Sequence, residues 1–198
     1  MNATGIDRTS YQGVVPDAPA QSIRHVWEAN DGTSVLLRAI ECGDLEIERG
    51  FVNRLSKQSR YMRLMSGRVP TEGELYRWTH IDRQREGAVI ATILADGCEQ
   101  LIGVARYAMN EDEFDIAECA IVIDDAWHRQ GLGYSLMSSL VDLAARSGVK
   151  RLLGTMLSEN GAMSGLARKL GFKLSRDREM AFVTNLLLDL DTRYHAVQ

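Results

Sequence analysis

The stretch Trp127-His128-Arg129-Gln130-Gly131-Leu132-Gly133-Tyr134 constrains this chain more than any other. A strand-like run, Ile116 to Ile123, precedes it, and a helix-like run, Tyr134 to Arg146, follows. A glycine-rich turn at a helix start leaves several backbone N–H groups without partners, and the helix dipole adds partial positive charge there. The two glycines let the backbone approach an anion closely. The turn therefore reads as a diphosphate site. An ordinary strand-to-helix turn with two glycines is the alternative.

Two nucleotide patterns fail at this turn. A P-loop needs Gly-Lys-Ser/Thr, and Gly133 is followed by Tyr134-Ser135. The dinucleotide fingerprint needs a third glycine, and Leu136 stands in its place. The net charge of −4 gives nucleic-acid binding no support. Cys42, Cys98 and Cys119 are scattered, and His25, His80, His128 and His195 lack ligand spacing, which speaks against a disulfide framework or a metal site. No apolar run is long enough to span a bilayer, and no basic-then-apolar leader opens the chain. A cytoplasmic protein is the expectation.

The 198 residues suggest one domain. Residues 1–20 read as a loose tail, and 21–198 as the domain. Val35 to Ile40 is a β-rich run, followed by a helical pattern through Leu45, Ile47, Phe51, Val52 and Leu55. Ser59 to Met65 reads as a second helical piece. Thr71-Glu72-Gly73-Glu74 is a capping box that starts a short helix through Trp78. Ala88 to Ala95 and Gln100 to Met109 flank Asp96-Gly97, a hairpin signal. Phe114 to Ile123 is the next strand. Lys150 to Met156 reads as a strand and Asn160 to Leu170 as a helix ended by Gly171, with closing strands at Phe172 to Ser175 and Ala181 to Leu188. The pattern predicts an α/β (α+β) fold with one mixed, mostly antiparallel sheet flanked by helices on both faces.

The loop His128 to Gly133 resembles the pyrophosphate loop of the GNAT superfamily of N-acetyltransferases, Gln/Arg-x-x-Gly-x-Gly/Ala between a strand and a helix. His128 replaces the usual Gln or Arg, a small departure because the loop works through backbone N–H groups. Leu55 to Arg63, Gly103 to Tyr107, Ala117 to Ala120 and Leu166 to Phe172 stand in order. Together they look like the acetyltransferase domain of the bacterial Pat-type protein-lysine acetyltransferases. Those proteins often join this domain to a cyclic-nucleotide-binding or an acyl-CoA-synthetase-like domain. Neither fits in this chain, so such regulation is expected to be absent or supplied in trans.

The resemblance implies acetyl-CoA as cosubstrate, no metal, and Glu118 as catalytic base. Lysine is mostly ammonium at neutral pH, and a carboxylate near the thioester can remove its proton. Strand alternation puts Glu118, Ala120 and Val122 on one face. A salt-bridged strand carboxylate, with Arg106 as partner, is the competing role for Glu118. Asp115, Glu113 and Asp112 are poorer candidates, nearer a turn. By resemblance, the backbone of Ile121, Val122 and Ile123 pairs with the pantetheine arm. Arg129, Gln130, Gly131, Leu132, Gly133 and Tyr134 surround the pyrophosphate. Asn160 touches the coenzyme, caps its helix, or both.

Ala167 stands where many relatives have a tyrosine that protonates the leaving thiolate, so water supplies that proton or the thiolate leaves without one. Cys119 has no activating base and is rejected as a nucleophile. The acceptor groove is expected from Ser56 to Arg63, Gly73 to His80 and the closing strands. The expected acceptor is a protein lysine, on an acyl-CoA synthetase by analogy. The alternatives are a small amine acceptor and a non-catalytic acyl-CoA sensor.

Overall fold

The computed structural model describes residues 23–110, 113 and 115–191. The tail read over 1–20, Asp112 and the first residue of the strand read from Phe114 lie outside the described residues. One eight-stranded sheet runs in the order β1-β2-β3-β4-β5-β6-β8-β7. Its strands are β1 (Arg24–Glu28), β2 (Ser34–Ala39), β3 (Glu86–Ala95), β4 (Cys98–Met109), β5 (Ile116–Ile123), β6 (Arg151–Leu157), β7 (Lys173–Arg176) and β8 (Val183–Asp189). The helices are α1 (Leu45–Arg54), α2 (Lys57–Leu64), α3 (Glu72–Thr79), α4 (Leu132–Arg146) and α5 (Gly161–Lys169). Every described strand pairing is antiparallel except β5 with β6, which the α4 crossover makes parallel.

Local signals take the forms their chemistry dictates. Asp96 and Gly97 both have positive φ, 51° and 78°, so the β3–β4 hairpin closes through the turn that matches strand twist. The Thr71 hydroxyl accepts from the Glu74 N–H at 3.3 Å while the Glu74 carboxylate accepts from the Thr71 N–H at 2.8 Å. The sequence reading missed β1. Its partner signal was the turn at Asp31-Gly32, where Asp31 accepts from the Thr33 N–H and Gly32 has φ 85°.

The sheet is buried on both faces, as a strand with apolar residues at consecutive positions requires. On β3, Val89 and Ala91 face a core with Leu132, Leu136 and Leu140 of α4. Ala88 and Ile90 face a second core with Phe51 and Val52 of α1 and Leu75 of α3. A buried ion network ties the edge to this body. Arg38 on β2 donates to both Asp44 oxygens at 2.8 and 2.7 Å and to both Glu99 oxygens at 3.0 Å. Thr92 adds a 2.7 Å hydrogen bond to Glu99. These bonds, Asp44 first, hold the Arg38 guanidinium well above its ordinary pKa.

Candidate active site

The centre of the sheet opens along one seam. β5 pairs with β4 from Ala117 to Ile123, but with β6 only from Ile116 to Glu118, opposite Arg151 to Leu153. β6 continues beside β8 to Leu157. The two parallel strands therefore part just after Glu118. Gly154 sits at the fork, where a Cβ would lie 3.2 Å from the Cys119 carbonyl oxygen.

Alternation decides what lines the gap. The Asp124 N–H donates to the Ile102 carbonyl at 2.9 Å, and Val122 stands opposite Val104, so even-numbered β5 residues turn their main-chain groups to β4. Ile121 and Ile123 turn theirs to the opening. The sequence reading assigned Ile121, Val122 and Ile123 alike to the pantetheine arm. The geometry divides them, because the Val122 backbone is engaged by β4. Among the described residues the Ile123 carbonyl meets only His128 Nε2, at 3.0 Å.

The loop at the wide end of the gap has a left-handed kink at Arg129 (φ 61°) and another at Gly131 (φ 94°). The Gln130 side-chain amide braces it by donating to the Ala126 carbonyl at 3.0 Å. α4 begins at Leu132, two residues earlier than its pattern suggested. The Tyr134 and Ser135 N–H groups bond to the Gly131 carbonyl. Those of Arg129, Gln130, Gly131, Leu132 and Gly133 meet no acceptor among the described residues. Left-handed and right-handed residues in succession at a helix start make a concave cradle of N–H groups. The cradle suits a diphosphate, and the unpaired strand edge beside it suits an extended amide-bearing chain. Gly133 is tightly packed: a Cβ would lie 3.3 Å from Ile123 Cδ1 and 3.4 Å from Leu166 Cδ2, so a larger residue would have to push both side chains aside.

Gly131 offers a clean test. A Cβ there meets only Trp27, at 3.7 Å. Asn and Asp both tolerate positive φ and share a shape. Gly131→Asp should bind acetyl-CoA at least ~10-fold more weakly than Gly131→Asn, because a carboxylate opposes the diphosphate. Calorimetric titration of both variants decides it, and equal affinities would place the diphosphate elsewhere.

Asn160 caps α5, its side-chain oxygen accepting from the Met163 N–H at 3.0 Å. Tyr134 is exposed, and Lys169 Nζ of α5 lies 4.5 Å from its ring centroid. Lys169 escaped the sequence reading because only the fold brings α5 beside the start of α4.

Glu118 is exposed and opens into a cavity of about 310 Å³ that Arg63, Arg77, Trp78, Glu86 and Arg106 help to line. α2, which brings Arg63 to this cavity, is anchored at its start, where Asp125 accepts from the Ser56 N–H and hydroxyl at 2.9 and 2.8 Å and from the Ser59 hydroxyl at 2.7 Å. Of the expected groove, α2 and α3 contribute. β7 and β8 do not line this cavity, since β6 stands between β5 and β8.

Arg106 is not the partner of Glu118. It donates to the Glu48 carboxylate and to the Trp78 carbonyl, each at 2.9 Å, and lies over the Trp78 ring. Glu48 is 1 % exposed, and a carboxylate so deep requires a cation. Burial pushes the Cys119 thiol up to about 12, with the Glu118 charge adding to the effect, so it is no thiolate nucleophile. Ala167 is fully buried. Among the described residues no group of three or more His, Cys, Asp or Glu could hold a metal ion, and no helix is long and apolar enough to cross a membrane.

Comparison with known proteins bears on this geometry. The sequence profile of the acetyltransferase (GNAT) family matches residues 56–172. An acetyltransferase of Pseudomonas aeruginosa, PA5475, is 35% identical over 128 residues, which cover 64% of this chain and 68% of that protein. The solved structure of the GNAT domain of S. lividans PAT superposes with a TM-score of 0.75 at 24% identity, covering 84% of this chain and 96% of that one. The yncA protein from Salmonella typhimurium, solved with its cofactor acetyl-CoA, superposes with a TM-score of 0.61 at 18% identity, covering 79% and 94%.

Proposed function

The chain belongs to the acetyltransferase (GNAT) family, an acetyl-CoA-dependent acyltransferase, and from that premise we propose that Glu118 is its general base and a protein lysine its acceptor. One observation carries this reading. Glu118 is the last β5 residue paired with β6, so its carboxylate stands where the strands part and where the cavity opens.

Bound acetyl-CoA supplies the thioester. The N–H groups of Arg129 to Gly133 hold its diphosphate, and the main-chain groups of Ile121 and Ile123 orient its pantetheine arm. Glu118 takes a proton from the acceptor ammonium, directly or through a water. The freed lone pair forms the N–C bond to the acetyl carbon as the C–S bond breaks and the electron pair leaves on sulfur; the nitrogen then gives its second proton to water, leaving the neutral amide. With Ala167 buried, water supplies the thiolate proton or the thiolate departs as such. A polyamine or aminoglycoside acceptor has less support, because Arg63 adds to the cavity a positive charge with no ion-pair partner among the described residues. The acyl-CoA sensor is the remaining alternative.

The test is acetyl-CoA turnover, read as free thiol release, with protein and small-molecule amines side by side. Acetyl-lysine on a protein, found by mass spectrometry, is the expected result. Turnover confined to small amines would overturn the acceptor assignment. Coenzyme binding without turnover would favour the sensor.

A further inference from the structure

Three arginines line the cavity beside Glu118, and two are already matched. Arg106 is neutralised by Glu48 at 2.9 Å. Arg77 donates to Glu86 at 2.9 Å, and the other Glu86 oxygen accepts from the Asp82 N–H at 3.2 Å. Arg63 differs. Among the described residues its guanidinium makes no hydrogen bond and no ion pair, although it lines both this cavity and the small one beneath it. Desolvation, with the charge of Arg106 next, pulls its pKa down to about 10, while Glu118 and Glu48 pull it back up. Arg63 lies in the last turn of α2, a helix whose start is fixed by Asp125.

Arg63 is half-buried in the cavity wall; a partly desolvated guanidinium without an acceptor gains by finding one, and its planar fork fits a carboxylate in two-point contact. The ionised groups left to greet an acceptor are therefore one base, Glu118, and one fixed cation, Arg63. That pair is complementary to an ammonium and a carboxylate on the same molecule. Resting on the reading of this cavity as the acceptor site, we propose that the acceptor presents a carboxylate beside its reactive amine and that Arg63 binds it. The carboxylate could belong to a free amino acid or to an acidic side chain flanking a lysine, and the chemistry at Arg63 is the same. A polycationic acceptor is disfavoured by the same charge.

Matched acceptors test this. L-lysine is compared with L-lysinamide, and a peptide carrying Glu beside its lysine with the same peptide carrying Gln, on wild type and Arg63→Gln. The carboxylate-bearing member of one pair should be preferred roughly 10- to 100-fold in kcat/KM by wild type. In Arg63→Gln that preference should collapse, chiefly through the KM of the carboxylate-bearing member. The pair that shows the effect identifies the source of the carboxylate. Arg63→Lys, which keeps the charge without the fork, should fall between the two and controls for misfolding.

Calorimetric titration of L-lysine and of the Glu-containing peptide into the CoA-bound Glu118→Gln protein separates this inference from the base assignment. If no amine is acetylated, the enzymatic reading fails, yet Arg63-dependent binding of the carboxylate still upholds this one. Equal turnover and binding of charged and neutral members, or equal losses for both in Arg63→Gln, would overturn it.

Discussion

Replacing Glu118 with Gln is expected to lower kcat by roughly 10²- to 10⁴-fold, the usual contribution of a general base, with acetyl-CoA affinity unchanged. The amide keeps the shape of the carboxylate and loses only its basicity. Glu118 is exposed at the fork and anchors no ion pair among the described residues, so the fold depends little on its charge. The coenzyme contacts proposed here lie further along β5 and in the loop, where the substitution changes nothing. The pH profile should change too. Without a base, only acceptor molecules already neutral can react. Turnover of the variant should then climb about tenfold per pH unit below the amine pKa of about 10.4. The deficit against wild type should therefore narrow as pH rises. A variant with kcat within tenfold of wild type at neutral pH would show that Glu118 is not the base.

Arg38→Ala should destabilise the protein by about 3–5 kcal/mol, the cost of removing one partner from a buried ion cluster. Arg38 and Asp44 are each 7 % exposed, so the Asp44 carboxylate would stay buried with its cation gone. Glu99 would lose both of its bonds to the guanidinium and keep only Thr92. The network joins β2 to β4 and to the turn before α1, far from Glu118. Activity per folded molecule should therefore hold while stability falls. Equilibrium unfolding in urea measures the loss. Adding Asp44→Asn should recover part of it, because the amide removes the stranded charge. A loss under about 1 kcal/mol would mean that water screens the cluster as it does a surface pair.

Legibility in the sequence followed the range of the interaction. The capping box at Thr71, the hairpin at Asp96-Gly97, the cap at Asn160 and the glycine loop were readable because each closes within a few residues. The face shared by Glu118, Ala120 and Val122 was readable from alternation. β1 was missed because it is an edge strand of five residues with mostly exposed side chains, so burial left little pattern on it. The pairing of Arg106 with Glu48 was also out of reach. It joins positions 58 apart, and only the packing of α1 on β4 sets them face to face.

By itself, the sequence determined the strand-loop-helix unit with its glycine-rich turn, and the position of a carboxylate on the strand before it. The tertiary structure alone decided that β5 and β6 pair for three residues and then separate. It made Glu118 the point of that fork, turned Ile121 and Ile123 but not Val122 toward the opening, and left Arg63 without an acceptor among the described residues. The physical reason is that turns and caps are settled by neighbouring backbone groups. A seam between parallel strands, and the charge left over in a cavity, depend on which distant residues consume the remaining hydrogen bonds.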